Sequence, residues 1–277
     1  MARSRGAAVN PDDVVSLGPL VLALDRVVAL GLFALFLWAI DWIVRRHGAG
    51  GASLGWWALA AGLIAARLDY VAVHRDSFAL EPLEALRVWL GGWTWFSGVI
   101  AALAVLGARL GRTRAMAEAA GVLGLLALVW GGFAENRAAP TPLRLPPDLV
   151  FQRLDGTPLR LDELRGQPVI LNLWATWCPP CRRETPMLSR AASAAGAAPI
   201  LLVNQGEERA AVQRYLAAEG LPGQAFVLDP SGTLTTLTGS RALPTTLLLD
   251  EEGTVQAVHL GEISRVQIDI LRRRAQR

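Results

Sequence analysis

Residues 171–186 read Leu-Asn-Leu-Trp-Ala-Thr-Trp-Cys-Pro-Pro-Cys-Arg-Arg-Glu-Thr-Pro, and they hold the only two cysteines, Cys178 and Cys181, in a chain of 277 residues. The apolar run Val169 to Trp174 has the pattern of a strand covered on both faces. Ala175, Thr176 and Trp177 form a turn, and Cys178 falls near the N-cap of a helix that continues to about Ala195. Unpaired backbone N–H groups and the helix dipole at that end favour a thiolate, drawing a thiol pKa down from about 8.5 toward the range of about 3.5 to 7.5. Cys178 is therefore the expected attacking sulfur, and Cys181, one turn further in, the resolving one. Pro179 and Pro180 suit a first helical turn, whose N–H groups have no partner in any case, while Pro186 is expected to kink the helix.

Two other uses of a cysteine pair are weaker. A structural disulfide this short closes little chain and stabilises little. A zinc site needs about four ligands, and His47, His74 and His259 stand in no metal-ligand pattern with the pair. The expectation is redox chemistry in the cysteines themselves, with no metal and no other cofactor.

Trp177 to Pro186 with the preceding strand, Ala242-Leu243-Pro244-Thr245-Thr246, and the Leu247–Gly253 stretch resemble the TlpA-type thioredoxin-like proteins, which are membrane-tethered thiol-disulfide oxidoreductases outside the bacterial cytoplasm. The resemblance covers about residues 148–274. It implies a cis peptide bond at Pro244 facing the disulfide, a Thr245 backbone that pairs with an incoming client, and Trp177 as a shield over the site. It also implies client proteins with disulfides as partners, and reduction rather than oxidation as the direction. Where many thioredoxins carry a buried acid before the motif, this chain has Asn172. An amide does not titrate, so proton transfer at Cys181 falls to water or to Glu184, one turn beyond it. The competing reading of Glu184 is a solvated helix charge beside Arg182 and Arg183.

Composition sets the rest of the chain apart. At 52% hydrophobic, 18% charged and a mean hydropathy of +0.34, it is too apolar for an ordinary soluble enzyme. The net charge of +3 is carried by arginine without lysine and forms no polybasic run, which speaks against nucleic acid as a partner. Met1 to Asp13 is polar and lacks signal-peptide organisation, so no cleavage is expected. Apolar spans follow at about residues 17–44, 52–73, 88–106 and 117–133, with a loop at 74–86. Trp56 and Trp57 sit at a rim position suited to the membrane interface. The fold class expected is an α-helical transmembrane domain of about four helices (residues 1–134), a Pro-rich spacer (135–147) carrying Pro140, Pro142, Pro146 and Pro147, and an α/β thioredoxin-fold domain (148–277). Arg45, Arg46, Arg109, Arg112 and Arg114 follow the first and third spans, which places those loops in the cytoplasm and both chain ends outside. The redox domain then lies in the periplasm of an inner-membrane protein, where disulfide exchange is permitted.

Arg67 to Ala102 resembles a segment of prolipoprotein diacylglyceryl transferase, through its Arg-Leu-x-Tyr, Pro-Leu-Glu and Trp-x-Gly-Gly elements. The resemblance implies a related helical core. Where the family's Gly-Gly segment leads to an essential His, this chain has Phe96, Ser97 and Gly98, and it has no later Arg-x-x-Asn-Phe motif; both departures argue against acyl-glyceryl transfer. Arg67 is a candidate for a lipid head group, with Asp69 or Glu84 beside it, against the alternative of charges that snorkel to water. A transferase-like or lipid-binding membrane domain with an attached redox domain is the alternative function. No span contains cysteine, so the pair must be recharged by a separate protein: a membrane thiol electron donor for a reductant, a quinone-linked oxidase for an oxidant.

Within the C-terminal part, a hairpin turns at Asp155-Gly156. Strands are expected at about residues 200–204, 225–228, 246–249 and 255–259, and helices at about 208–219 and 264–274. Val266, Ile270 and Leu271 are expected to share the buried face of the last helix.

Overall fold

A computed structural model describes residues 14–17, 20–49, 51, 53–136, 143–194, 198–240 and 242–276. The polar Met1–Asp13 segment, Pro140 and Pro142 lie outside the described residues. The chain divides into two compact units, Val14–Ala138 and a second containing Ala139–Arg277.

In the first unit a short antiparallel ribbon, β1 (Val14–Leu17) and β2 (Leu20–Ala23), precedes α1 (Leu24–His47). The first span thus becomes helical at Leu24, not at Leu17, because Val14–Leu17 and Leu20–Ala23 pair as strands. Helices α2 (Leu54–Val73) and α5 (Arg114–Asn136) are, with α1, long and apolar enough to cross a membrane. The loop expected at 74–86 contains a short helix, α3 (Arg75–Leu80), and a 3-10 turn over Pro82–Leu86.

The third span departs most from expectation. Its helix, α4, runs Trp95–Leu110, about 24 Å at 1.5 Å per residue, short of a hydrocarbon core of about 30 Å. Val88–Leu90 is a separate 3-10 turn, and Gly91 and Gly92 follow with φ of +80° and +82°. A side chain at residue 92 would collide with the Tyr70 ring, so glycine is required there. Helices α2 and α4 approach closely at Gly62 and Gly98, where a Cβ on either would lie 2.9 Å from the other's carbonyl oxygen. Phe36, Ile40, Ile43, Ala58, Leu106 and Ala119 form the interior of this unit. Its outer face carries exposed Leu30, Trp38, Trp57, Ile64, Leu68 and Leu128.

The second unit is built on a seven-stranded sheet of order β4-β3-β7-β6-β5-β8-β9. Its strands are β3 (Val150–Arg153), β4 (Pro158–Arg160), β5 (Val169–Trp174), β6 (Ile200–Gln205), β7 (Phe226–Asp229), β8 (Thr245–Leu249) and β9 (Val255–Leu260). Helices α6 (Pro179–Ala192), α7 (Arg209–Glu219), α8 (Thr233–Thr238) and α9 (Arg265–Ala275) complete it. β5, β6 and β7 are parallel, while β8 runs antiparallel to β5 with Leu173 opposite Thr245 and Asn172 opposite Thr246. This is the α/β thioredoxin-type architecture with an added N-terminal hairpin. β5 is buried at every position. Ile170 and Trp174 enter one core with Leu188, Val212 and Phe226, and Val169, Leu171 and Leu173 enter the other with Phe151 and Leu247.

Three expectations are corrected here. The semi-rigid spacer expected at 135–147 is in part packed structure: Glu135 lies in the last turn of α5, and Leu145 is buried, donating its N–H to Gly253 O at 3.0 Å. Leu143 O likewise accepts from Val255 N–H at 2.8 Å, because the apolar residues between the prolines complete a core at the sheet. Helix α6 ends at Ala192 rather than Ala195 and continues through Pro186. On α9, Ile270 is exposed, and Val266, Ile268 and Leu271 are buried with Arg272. The packed stripe includes the arginine because its guanidinium Nη2 donates to Ala191 O, at the C-terminal end of α6, at 2.6 Å.

Candidate active site

Cys178 is the N-cap of α6, with extended backbone (φ −89°, ψ 108°) and Pro179 in the first helical position. Its Sγ accepts from Cys181 N–H at 3.3 Å, so the first sulfur stands over the open end of the helix. Cys178 and Cys181 are joined as a disulfide and are both buried. Trp177, directly before them, is exposed (69%). The turn is held by Glu207, just beyond β6, whose carboxylate accepts from Thr176 N–H at 2.7 Å, from the Thr176 hydroxyl and from Asn204 Nδ2 at 2.7 Å.

Opposite the helix, the Leu243–Pro244 peptide bond is cis, as the resemblance implies. Thr245 departs from the implied role. It is fully buried in β8, paired in register with Leu173 on one side and Leu260 on the other, so no open strand edge remains there for a client. Its hydroxyl instead bonds to Ala242 O at 2.8 Å and Ser240 Oγ at 2.7 Å, shaping the loop that carries Pro244.

Glu184 is not a solvated charge. It is 2% exposed, its Oε1 accepts from Asn172 Nδ2 at 2.8 Å, and its Oε2 accepts from Ile263 N–H at 2.7 Å. Asn172 Nδ2 also donates to Thr246 Oγ1 at 3.1 Å, and Asn172 Oδ1 has no partner. Burial pushes the Glu184 carboxyl up to about 8, against the two hydrogen bonds, which favour the ionised form. Arg182 and Arg183 turn outward to Glu219 and Glu262.

Arg67 lies in the other unit and is also buried, but it does not present its charge to a ligand. The guanidinium donates to Ala85 O (3.0 Å), Glu84 O (2.8 Å), Gly91 O (2.7 Å) and Gly92 O (3.0 Å), and the rings of Tyr70, Phe78 and Trp93 surround it at 5.6 to 5.9 Å. The lipid head-group expectation is corrected on this geometry, since the side chain is committed to the backbone of the broken third span.

Residues 144–270 match the family model described as Redoxin, and residues 18–170, more than half of the chain, match the one described as Prolipoprotein diacylglyceryl transferase. The chain is 34% identical over 124 residues to the thiol-disulfide oxidoreductase ResA of Halalkalibacterium halodurans, covering 44% of this chain and 70% of that one. It belongs to this oxidoreductase family. A second ResA, from Geobacillus thermodenitrificans, is 32% identical over 142 residues, covering 50% of this chain and 81% of its own. The crystal structure of the pneumococcal exposed lipoprotein thioredoxin of Streptococcus pneumoniae matches 46% of this chain and 98% of its own at 27% identity, with a TM-score of 0.40. The N-terminal part belongs to the diacylglyceryl transferase family, so the chain joins a membrane-protein family to a thiol-disulfide oxidoreductase. Oxidoreductases of this kind use a redox-active disulfide as their reactive group.

Glu207, Asn204 and Thr246 are absent from the sequence expectations. The signal for the first two is the polar ending of an otherwise apolar strand, Asn204-Gln205-Gly206-Glu207, at the carboxyl edge of a parallel sheet, where α/β sites gather.

Proposed function

We propose that the chain is a membrane-anchored, periplasm-facing reductant of client protein disulfides, with residues 1–134 as the membrane part and Cys178 and Cys181 as the reacting pair. The observation that carries the reading is a single one: the disulfide closes at the N-terminus of α6, with its outer sulfur at the N-cap. In the reduced form the Cys178 thiolate attacks a client disulfide, forms a bond to one client sulfur and expels the other, which takes up a proton. Cys181 then gives its proton to water, or to Glu184 where that carboxyl is ionised, and attacks Cys178 Sγ. That step releases the second client thiolate and leaves the Cys178–Cys181 disulfide. A carboxyl that titrates near 8 is matched to a thiol, which supports Glu184 in this role.

Pro244 and the residue before it, Leu243, position the client backbone in this scheme; Leu243 precedes β8 and is free of the pairing that engages Thr245. Trp177 covers one side of the approach. The arginine asymmetry of the loops supports the periplasmic side, and the absence of cysteine from residues 1–177 supports a separate membrane thiol donor. The engagement of Arg67 with four backbone carbonyls, and Phe96 in place of the transferase family's histidine, support a membrane part that anchors the redox unit without acyl-glyceryl transfer.

The test is Cys181→Ala in the full chain. Removal of the resolving sulfur is expected to leave covalent adducts on Cys178 that dithiothreitol releases and that Cys178→Ala abolishes. Absence of adducts in cells under both reducing and oxidising growth would refute the mechanism.

A further inference from the structure

Asn172, Thr246 and His259 stand opposite one another on the neighbouring strands β5, β8 and β9, so their side chains share one face of the sheet. The first two belong to the surroundings of Glu184. Asn172 Nδ2 donates to Glu184 Oε1 and to Thr246 Oγ1. His259, half-buried at the far end of the row, reaches the same carboxyl group by another route.

That route is one peptide group. Between β9 and α9, Glu262 O lies 3.2 Å from His259 Nε2, and Ile263 N–H donates to Glu184 Oε2 at 2.7 Å. The two belong to a single trans peptide plane, which points its C=O and its N–H in opposite directions. A carbonyl only accepts, so Nε2 carries the proton that faces it, whether the ring is neutral or charged. Hydrogen bonds in series polarise one another, and a donor on the carbonyl makes the N–H a stronger donor to the carboxylate. The same turn is tied to the redox site at its start, where Gly261 N–H donates to Pro244 O at 2.9 Å. Of the charged groups beside Glu184, Glu262 disfavours its ionised form and Arg183 favours it, and these two are bonded to each other. The directed supports of the carboxylate are therefore the two N–H donors, Asn172 and Ile263.

We propose that His259 is a positioning residue for Glu184: its bond to Glu262 O orients and polarises the Glu262–Ile263 peptide, and thereby keeps the Glu184 carboxylate ready to take the proton of Cys181. The inference rests on the reading above in which Glu184 is that acceptor. Without the imidazole the peptide tilts and Ile263 N–H holds the carboxylate less well. Glu184 then keeps its own proton to higher pH, because a hydrogen bond to the charged form is what favours that form.

The experiment isolates the Cys181 step. The full chain, reduced and in detergent, is mixed with dithiobis(nitrobenzoate). Cys178 attacks the reagent and releases one thionitrobenzoate; Cys181 then loses its proton, attacks Cys178 Sγ and releases the second. The rate of the second release is followed against pH. His259→Phe is expected to displace this profile by about half a unit to one unit toward higher pH, the size of a charge-assisted hydrogen bond weakened by about half. His259→Gln, whose Nε2 falls where the imidazole Nε2 does, is expected to restore it. In the Glu184→Gln background, His259→Phe is expected to leave the profile where it is, since the group it acts through is gone. Should His259→Phe not fold, His259→Asn, with an amide too short to reach Glu262 O, takes its place. A profile that Glu184→Gln moves and His259→Phe does not would overturn the proposal and leave Glu184 as the acceptor. An equal displacement by His259→Phe with and without Glu184 would overturn it too, because the histidine would then act elsewhere. A profile that Glu184→Gln leaves unmoved would overturn the acceptor role and the proposal with it.

Discussion

Glu184→Gln separates the buried acid from everything else in the redox unit. In the folded chain Glu184 holds its proton up to about pH 8, whereas the ordinary carboxyl value is 4.5. The raised value reverses the usual sign for a carboxylate. Stability attributable to this group is fully present below pH 4.5, because both states are then protonated, and it is lost as pH rises toward 8, because the unfolded chain ionises first. At about 1.36 kcal/mol per pH unit, a displacement from 4.5 to about 8 amounts to roughly 5 kcal/mol. The glutamine retains an acceptor for Ile263 N–H, and its own N–H₂ meets Asn172, whose Oδ1 has no partner; a turn of that amide pairs them. The two proteins are therefore expected to be within about 1 kcal/mol of each other near pH 5. Near pH 8 the Glu184→Gln variant is expected to be the more stable by several kcal/mol. Urea pulse proteolysis of the full chain in detergent, with the disulfide kept closed, reads this directly as the midpoint for residues 143–276 at each pH. Parallel pH dependences for the two proteins between pH 5 and 8 would refute the reasoning, since the titrating group would then lie elsewhere.

Three further perturbations address the supports of the two units. Arg67→Lys replaces four donated bonds with at most three and removes the planar fork, leaving a carbonyl among Glu84, Ala85, Gly91 and Gly92 unpaired; a loss of about 2 kcal/mol is expected in detergent denaturation, and an unchanged midpoint would remove the arginine from its structural role. Gly62→Leu drives a side chain into the Gly98 carbonyl oxygen and is expected to cost at least about 1–3 kcal/mol by overpacking; thermal melting in detergent checks it. Glu207→Ala strips the Thr176 turn of its charged acceptor and is expected to lower stability by about 2 kcal/mol and to slow alkylation of reduced Cys178; normal alkylation with lowered stability would confine Glu207 to folding.

The redox core was legible because its signals are local. An apolar strand, a turn, a cysteine at an N-cap and two prolines in the first turn specify one another over sixteen residues, and the cis bond at Pro244 needed only a proline and a family pattern. What escaped the sequence depends on pairing across distance. Glu184 stood between a proton helper and one more charge in Arg182-Arg183-Glu184, and its buried contact comes from the loop before α9, whose Ile263 N–H meets the carboxylate. Thr245 looked available until β9 closed over β8. Arg272 is not one of the apolar positions that mark the buried face of α9, and the end of α6, through Ala191 O, is what draws it in. The third span was apolar enough for a helix from Val88 onward, but a backbone with positive φ at Gly91 and Gly92 breaks it, and Arg67 supplies the bonds the break leaves open.

The register of β5 against β8 divides this half of the chain into lengths that cannot change and lengths that can. Asn172 must stand opposite Thr246 for its amide to reach both Thr246 and Glu184, and the same alignment sets how far Pro244 stands from the cysteines. One inserted residue in 172–178 or 244–246 would slide a strand by about 3.3 Å and turn its side chains to the opposite face. The segment between β7 and β8 has no strand register to keep in its middle, which is a short helix and loops, and it is tied down at its ends by Asp229 and Thr245. Changes of length confined to the stretch between Pro230 and Gly239 would thus leave the register of β5 against β8, and the cysteine positions it sets, unaltered, whereas Ser240 and Ala242 are tied to Thr245 and share its constraint.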